Sequence, residues 1–390
     1  MARSPAPIYL DYPATAPCDP RVIEAMLPFF SAMAANPHNP HHGPGRAAAD
    51  AIERARGQVA ALIAARPAEI VFTSGATEAN NLALKGAARG QARRGGHIVT
   101  VATEHASVLA PLEQLAREGW TVTVLPVDRG GLVNPGRLAG ALRPDTVLVS
   151  VMAVNNETGV IQPLAEIGRL CRARGILVHS DAAQAAGRLP LDAAADGVDL
   201  MSLSAHKLYG PPGVGALYVR QATAGELRPL MEGGGQERGL RPGTVPTPLV
   251  VGFGRAAELA AAGFACEQQR LARLDDRLWQ GLGARIRGLR RNGAPAARVA
   301  GTLSLTFPGI DATELMEAVP ELALSSGAAC HAESGMPSSV LLALGLDAVA
   351  AQGTLRLGLG RFTTETEVDY AIEAIGRAVG ELAIAAAGLA

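Results

Sequence analysis

A regular alternation of short apolar segments and longer helical segments, between about residues 50 and 220, most constrains the fold. The apolar segments have the length and composition of buried strands, and Ala, Leu and Arg recur at helical spacing between them. Strands that are apolar on both faces are typical of parallel sheets covered by helices on both sides. The sequence therefore predicts an α/β fold with a mainly parallel sheet, whose strands are EIVFTS (69–74), HIVTVA (97–102), WTVTVLPV (120–127), TVLVSVMAV (146–154), GILVHSD (175–181), DLMSLSA (199–205) and GALYVR (215–220).

The pattern changes after about residue 248, which indicates a second domain. A long helical segment runs from about Pro248 to Arg291, and a final helix is expected from about Thr364 to Ala387. Between them RVAGTLSLTFPG, ALSSGAAC and GTLRLGLG have strand patterns. A chain of 390 residues is also long for one domain. We predict a large domain over residues 17–260 and a smaller α+β domain built from residues 1–16 and 261–390.

Composition excludes several classes of function. The formal net charge is −1 and no basic cluster is present, so neither nucleic acid nor an anionic membrane is expected as a partner. The apolar stretches are too short or too interrupted to span a bilayer, and the N-terminus lacks a signal-peptide core. The four cysteines are far apart and show no CxxC spacing. We therefore expect no metal site, no disulfide framework and a cytoplasmic location.

Lys207 is one of two lysines in a chain that has 35 basic residues. It follows an apolar strand and precedes a turn rich in Gly and Pro. Arginine stays protonated, whereas a lysine amine can be desolvated and joined to an aldehyde. Lys207 is thus either an imine-forming lysine or a lysine at the end of a strand. The other lysine, Lys85, lies within a helical segment at a position expected to face solvent.

Other polar residues also follow strands, where ligands bind in parallel sheets. In TSGATEANNLAL a strand ends and a helix begins, with Thr77 and Glu78 in the first turn of the helix. This helix start is either an anion site or a capped start without a ligand. Asp181 ends a strand and either pairs with a cationic group or caps a helix. His105 could stack on a flat ring or be structural. Together, phosphate donors, a carboxylate, an imidazole and a reactive lysine indicate pyridoxal phosphate as the cofactor.

A set of motifs resembles the cysteine desulfurases of the NifS/IscS type, a group within the class V aminotransferases of PLP-dependent transferase fold type I. The resemblance covers nearly the whole chain. Its motifs occur in the family's order and spacing: IYLDYPATAP, EIVFTSGATEANNLALKG, TEHASVL, VNNETGVIQP, HSDAAQAAGRLPLD, SAHKLYGPPGVGALYVR, GGGQERGLRPGT, SSGAAC and LGRFTTETEVDY. The resemblance implies a seven-stranded sheet in the large domain and a homodimer that acts on L-cysteine.

The resemblance also implies a role for each site residue. Lys207 would bind the cofactor covalently and serve as a catalytic residue, and His105 would stack on the cofactor ring and take part in catalysis. Asp181 would pair with the ring nitrogen, and Gln184 with the phenolic oxygen. The phosphate would be bound by Ala76, Thr77, Ser204 and His206, together with Thr244 of the neighbouring subunit. Asn156 and Arg356 would hold the substrate carboxylate, which an arginine can do with two parallel hydrogen bonds.

Cys330 is the predicted nucleophile. It follows SSGAA and precedes HAESGMPSS, so it lies in a stretch of small and polar residues (about 326–338) that is typical of a loop. By resemblance, this loop carries the cysteine that receives sulfur as a persulfide and delivers it to an acceptor protein. Iron–sulfur cluster assembly or another thiolation pathway would use that sulfur, and the acceptor is not identified by the sequence.

Two alternatives remain beside a cysteine desulfurase. A selenocysteine lyase or another class V enzyme could use the same scaffold. A catalytically silent sulfur carrier could retain the fold, although the joint presence of Lys207, Asp181, His105, Arg356 and Cys330 argues against it. A dinucleotide-binding enzyme is disfavoured because no GxGxxG follows the early strands.

Overall fold

The computed structural model describes residues 7–91, 96–326 and 337–388. Within these ranges the strands are β1 (Ile8–Tyr9), β2 (Ile70–Thr73), β3 (His97–Val101), β4 (Thr121–Leu125), β5 (Thr146–Ser150), β6 (Leu177–Asp181), β7 (Leu200–Ser204), β8 (Gly215–Val219), β9 (Arg290–Arg291), β10 (Thr302–Thr306), β11 (Leu322–Ala323) and β12 (Thr354–Gly358). The α-helices are α1 (Pro20–Met26), α2 (Gly43–Leu62), α3 (Ala76–Gln91), α4 (Ala106–Arg117), α5 (Pro135–Ala141), α6 (Leu164–Arg172), α7 (Thr247–Arg285), α8 (Ala312–Ala318), α9 (Ser339–Ala343), α10 (Ala348–Gln352) and α11 (Glu365–Gly388).

A seven-stranded sheet forms the centre of the fold, in the order β2-β8-β7-β6-β5-β3-β4. Strands β7, β6, β5, β3 and β4 run parallel, and β8 is antiparallel to both of its neighbours. The sequence prediction of a mainly parallel seven-stranded sheet in an α/β fold is therefore confirmed. The parallel strands end at one edge, so Asp181 and Ser204, the last residues of β6 and β7, lie on the same side of the molecule.

The apolar strand sequences follow from burial on both faces of this sheet. In β3, Val99 belongs to one hydrophobic cluster and Ile98 to another on the opposite face. Successive side chains of a strand point to opposite faces, so a strand covered on both sides needs apolar residues at every position. The same division separates Val149 from Leu148 in β5. Helix α3 packs over β7 and β8 on the Ile98 side.

Helix α7 connects the main core to a second hydrophobic core. Its N-terminal half, including Phe253 and Ala257, packs in the main core, whereas Leu274 and Leu278 belong to the second core. By length and composition alone α7 could also cross a membrane. The predicted boundary at residue 260 lies inside this helix, and the two-domain division stays a prediction.

The second core is covered by two small sheets and the C-terminal helix. Strands β12, β10 and β9 form an antiparallel sheet, β1 pairs with β11 in parallel, and α11 packs against α7. The long predicted helix ends at Arg285, before the predicted Arg291, because Arg290–Arg291 instead forms β9 on the edge of β10. The predicted strand in ALSSGAAC (323–330) is described only as far as Ser326, and of these residues only Ala323 belongs to a strand, as the last residue of β11.

Candidate active site

A cavity of about 470 Å³ opens at the carboxyl edge of the central sheet. The structure brings ten of the predicted site residues into its lining: Ala76, Thr77, His105, Asn156, Asp181, Gln184, Ser204, His206, Lys207 and Arg356. Thr244 is exposed and is not among the lining residues of this chain. Cys330 lies outside the described residues. The roles assigned to these residues stay predictions. The convergence of those that follow strands of the central sheet is a consequence of its topology, whereas Arg356 comes from β12 of a different sheet.

The beginning of α3 forms one wall of the cavity. Strand β2 ends at Thr73 and the helix begins at Ala76, so the backbone N–H groups of the first turn have no acceptor within the helix. At Gly215 of β8 a Cβ would lie 2.6 Å from the Gly75 Cα, so only glycine allows this strand to approach the turn. A helix N-terminus with a threonine in its first turn can bind an anion such as a phosphate.

His206 lies opposite this helix start, in the 3₁₀ turn Ala205–Lys207. Its Nδ1 is 3.0 Å from Thr15 Oγ1. Burial, followed by the positive charge of Lys207, lowers the pKa of His206 to about 4. The imidazole is therefore neutral near pH 7 and can meet an anion as a hydrogen-bond donor.

Lys207 is half-buried in the cavity wall at the end of the same turn. Its Nζ donates hydrogen bonds to the carbonyl oxygens of Pro13 and Ala14, each at 2.6 Å. Burial lowers the pKa of Lys207 to about 8, and the positive charges of Arg356 and Arg188 add to the effect. Lys85 lines an adjoining open depression, which shares Thr77 and His105 with the cavity, but it is not itself a lining residue of the cavity. Of the two lysines, Lys207 thus has the environment that favours a neutral, reactive amine.

Asp181 ends β6 at the floor of the cavity. Its Oδ2 accepts a hydrogen bond from Asn80 Nδ2 at 2.7 Å, and its Oδ1 accepts one from the Ala183 backbone at 3.0 Å. No helix begins after Asp181, because the described chain continues through a turn to β7. The alternative that Asp181 is a helix cap is therefore wrong. The carboxylate remains a candidate partner for a cationic group in the cavity.

His105 stands at the start of α4 and caps this helix. Its Nδ1 accepts a hydrogen bond from the Ser107 backbone N–H at 3.1 Å and lies 2.8 Å from Ser107 Oγ. The cap fixes the ring at the end of β3, where it lines the cavity with Asp181. A planar side chain held in this way could stack on a flat ligand.

Arg356 projects from β12 into the opposite side of the cavity and is 3% exposed. Its Nη1 donates to the Asn156 carbonyl at 3.0 Å, and its Nη2 forms an ion pair with Asp11 at 2.6 Å. Its Nε is buried without a hydrogen-bond partner among the described residues. The guanidinium is therefore fixed in place and retains an unused donor, as a carboxylate-binding arginine requires.

Sequence reasoning missed three buried residues around the cavity. Glu104 is buried, and burial followed by the charge of Asp181 raises the pKa of its carboxyl well above the usual value. Burial also raises the pKa of Glu157 to about 7, and its Oε2 accepts a hydrogen bond from Ser338. Asn80 is fully buried against Asp181. For Glu104 and Asn80 the available signal was a polar residue close to small or apolar ones, since a buried polar residue needs a partner elsewhere. Glu157 stands among other polar residues in VNNETG and gave no such signal.

Comparison with known proteins agrees with this geometry. The model of the aminotransferase class-V family matches residues 8–371. A human cysteine desulfurase is 49% identical over 94% of this chain and 80% of its own length. The cysteine desulfurase IscS of Rickettsia akari is 48% identical over 96% of this chain and 92% of its own length.

Two solved structures have the same fold. A NifS-like protein superimposes with a TM-score of 0.89 at 36% identity, covering 96% of this chain and 99% of its own. A structure described as SspA in complex with cysteine superimposes with a TM-score of 0.82 at 38% identity, covering 92% of this chain and 100% of its own.

Proposed function

The chain belongs to the aminotransferase class-V family as a cysteine desulfurase, and we propose that it converts L-cysteine to L-alanine and passes the sulfur on as a persulfide on Cys330. The observation that carries this proposal is the cavity that unites Lys207, Asp181 and Arg356. These residues supply a reactive amine, a carboxylate and a carboxylate-binding arginine. The relatives named cysteine desulfurase support the choice of substrate.

We propose pyridoxal phosphate as the cofactor, because the cavity provides a fitting group for each of its polar parts. The N-terminus of α3 and the neutral His206 suit the phosphate, and Asp181 suits the ring nitrogen. Gln184 suits the phenolic oxygen, because its Nε2 has two hydrogens and the bond to the Pro13 carbonyl uses only one of them. When bound, the cofactor would accept the electrons left on the substrate after its Cα proton is removed.

The protein's own side chains account for the remaining steps. Arg356 and Asn156 hold the carboxylate of L-cysteine, which fixes the orientation of its Cα–H bond. Lys207, whose pKa is about 8, takes the Cα proton as a neutral amine. The thiolate of Cys330 then bonds to the substrate sulfur as the Cβ–S bond breaks. The electrons of that bond stay on Cβ, which takes up a proton on the way to alanine.

The described residues on either side of segment 327–336, which contains Cys330, are bonded to residues that line this cavity. On one side, the Ser325 carbonyl accepts a hydrogen bond from the Arg356 backbone at 2.7 Å. On the other, Ser338 bonds Glu157, and Ser339 and Val340 line the cavity. An extended chain covers about 3.3 Å per residue, so the four residues from Ser326 to Cys330 could span up to about 13 Å, and we propose that Cys330 reaches the substrate in the cavity.

We further propose a homodimer in which Thr244 binds the cofactor phosphate of the neighbouring subunit. Glu237 holds the segment that precedes Thr244 against the main core. It forms a buried ion pair with Arg56 at 2.7 Å and accepts a hydrogen bond from the Phe72 backbone. Beyond it, Thr244 is exposed, so its hydroxyl is available to a second chain. We also propose that the enzyme is cytoplasmic and that it supplies sulfur to an acceptor protein, for iron–sulfur cluster assembly or another thiolation.

Product analysis with L-cysteine and a reductant tests the activity. We expect alanine and sulfide in equal amounts, both abolished in Lys207→Ala and retained in the matched lysine variant Lys85→Ala. A protein that releases neither product, although it binds pyridoxal phosphate at Lys207, would contradict the proposal. Equal activity of Cys330→Ala with L-cysteine would instead favour a lyase, which needs no enzyme thiol.

A further inference from the structure

A hydrogen-bonded chain joins Asp181 to His105 through two residues that sequence reasoning did not assign. Asn80 Nδ2 lies 2.7 Å from Asp181 Oδ2 and 2.8 Å from Ser107 Oγ. Ser107 Oγ in turn lies 2.8 Å from His105 Nδ1, and the Ser107 backbone N–H donates to the same nitrogen at 3.1 Å. Asn80 is fully buried, and Ser107 is 8% exposed, so water does not compete strongly for these bonds.

The direction of each hydrogen bond follows from the donors and acceptors present. The Asp181 carboxylate only accepts, so the Asn80 atom facing it is the amide nitrogen. The second hydrogen of that NH₂ group points to Ser107, whose hydroxyl oxygen therefore accepts. Ser107 has one hydroxyl proton, and the neighbour placed to receive it is His105 Nδ1.

We propose that Asn80 and Ser107 are positioning residues that hold His105 in the neutral tautomer with its ring proton on Nε2. Nδ1 accepts from both the hydroxyl and the backbone N–H of Ser107, so a proton on Nδ1 would face two donors. Asn80 makes this arrangement depend on Asp181, because the carboxylate fixes which way the amide, and then the hydroxyl, must point.

This inference rests on the proposed function for its catalytic meaning. In the resting enzyme His105 would present a hydrogen-bond donor, and Lys207 would be the group that takes the Cα proton. The two residues thereby have distinct roles, although both line the same cavity. Because every donor and acceptor in these bonds belongs to this protein, the proposal can be tested without substrate.

The test is ¹⁵N NMR of protein labelled at histidine, with the His105 signals assigned by their loss in His105→Gln. For the wild type we expect the pattern of a neutral ring with a protonated Nε2 and an unprotonated, hydrogen-bonded Nδ1. Ser107→Thr, which keeps a hydroxyl, should retain this pattern. Ser107→Ala and Asn80→Ala should both move the Nδ1 resonance towards the value of a nitrogen with a weaker hydrogen bond.

Asn80→Ala is the decisive variant, because Asn80 itself does not bond His105. An unchanged Nδ1 resonance in a folded Asn80→Ala protein would overturn the link to Asp181, and a wild type with the proton on Nδ1 would overturn the tautomer. If Asn80→Ala does not fold, the Ser107→Ala and Ser107→Thr pair still decides the tautomer. Absence of alanine formation by the wild type would refute the proposed function without altering the NMR result.

A kinetic readout accompanies the spectra. In Asn80→Ala we expect kcat for L-cysteine to fall about tenfold or more, the size expected from loss of a hydrogen bond to a charged group, with a smaller change in KM. An increase in KM at constant kcat would contradict the proposal, because a residue that positions His105 and Asp181 acts on the reaction step and not on the carboxylate clamp of Arg356.

Discussion

Lys207 determines the chemistry of the cavity at the scale of single residues. Burial and the charges of Arg356 and Arg188 lower its pKa to about 8. The neutral amine is the form that joins an aldehyde. We therefore expect the rate at which cofactor-free protein takes up pyridoxal phosphate to rise with pH through about 8 and to level off above it, as measured by stopped-flow absorbance.

Arg188 provides a check on the cause of this pH dependence. Removing its positive charge in Arg188→Gln should raise the pKa of Lys207 and move the midpoint of the uptake rate to higher pH. The exposed Arg137→Gln is the matched control and should leave the midpoint in place. A midpoint that stays the same in Arg188→Gln, or moves to lower pH, would show that this charge does not act on the lysine.

The sequence predicted the residues that follow strands but not those that support them. Lys207 and Asp181 could be identified because a polar residue after a buried strand must lie at the sheet edge. Asn80 bonds Asp181 across 101 positions of the chain, and Ser338 bonds Glu157 across 181. Such pairs depend on how helices pack on the sheet, which local patterns do not specify. Even the bonds made by Arg356 to Asp11 became visible only in the structure.

At the scale of elements, Ser338 connects helix α9 to the cavity. It caps α9 by accepting from the Leu341 backbone, and it donates to Glu157. We expect Ser338→Ala to lower kcat for L-cysteine by about tenfold with little change in KM, because it releases one end of the segment that carries Cys330. Steady-state kinetics measure both parameters.

Asp347→Ala is the matched control for the loss of a helix cap. Asp347 caps the neighbouring α10 through the Ala350 backbone and does not line the cavity. Its substitution should cost stability of about 1 kcal/mol and leave kcat unchanged. Equal losses of kcat in the two variants would show that loss of a cap, and not the bond to Glu157, is responsible.

Glu157 should also make stability depend on pH. Burial raises the pKa of its carboxyl from 4.5 to about 7 in the folded protein. The folded state therefore binds this proton more tightly than the unfolded state, and stability is lost as pH rises from about 4.5 to 7. The free energy of unfolding of Glu157→Gln, measured with denaturant, should lack this decrease. Relative to the wild type, the variant should therefore become more stable between pH 4.5 and 7, by about 1–3 kcal/mol. A difference in the free energy of unfolding between the variant and the wild type that stays constant with pH would contradict this prediction.

The sequence predicted which segments form strands better than it predicted where those strands end or in which direction they run. All seven strands of the central sheet were predicted, and six of them are buried along their whole length, which leaves a strong apolar signature. The seventh, β4, is largely exposed and was recognised from its β-branched residues. The sequence did not indicate that β8 runs antiparallel, since periodicity carries no direction. The segment WTVTVLPV forms a strand only to Leu125, before Pro126, whose backbone cannot donate to a sheet.

At the scale of the whole molecule, the proposed homodimer assigns each cofactor site residues from two chains. We expect Thr244→Ala to weaken pyridoxal phosphate binding in both sites of a homodimer. A mixed dimer of Thr244→Ala and Lys207→Ala chains should regain one site of wild-type affinity, since the Lys207→Ala chain supplies Thr244 to its neighbour. Fluorescence titration measures the affinity. Light scattering that shows a monomer with tightly bound cofactor would exclude this arrangement.

The central claim is that sulfur leaves L-cysteine and becomes bound to Cys330. Mass spectrometry of peptides from the holoenzyme, after one turnover with L-cysteine and without reductant, tests it most directly. We expect one additional sulfur atom on the peptide that contains Cys330, one alanine per sulfur transferred, and unmodified peptides for Cys18, Cys171 and Cys266. Alanine formation with no sulfur on Cys330, or with sulfur on another of these cysteines, would refute the persulfide on Cys330.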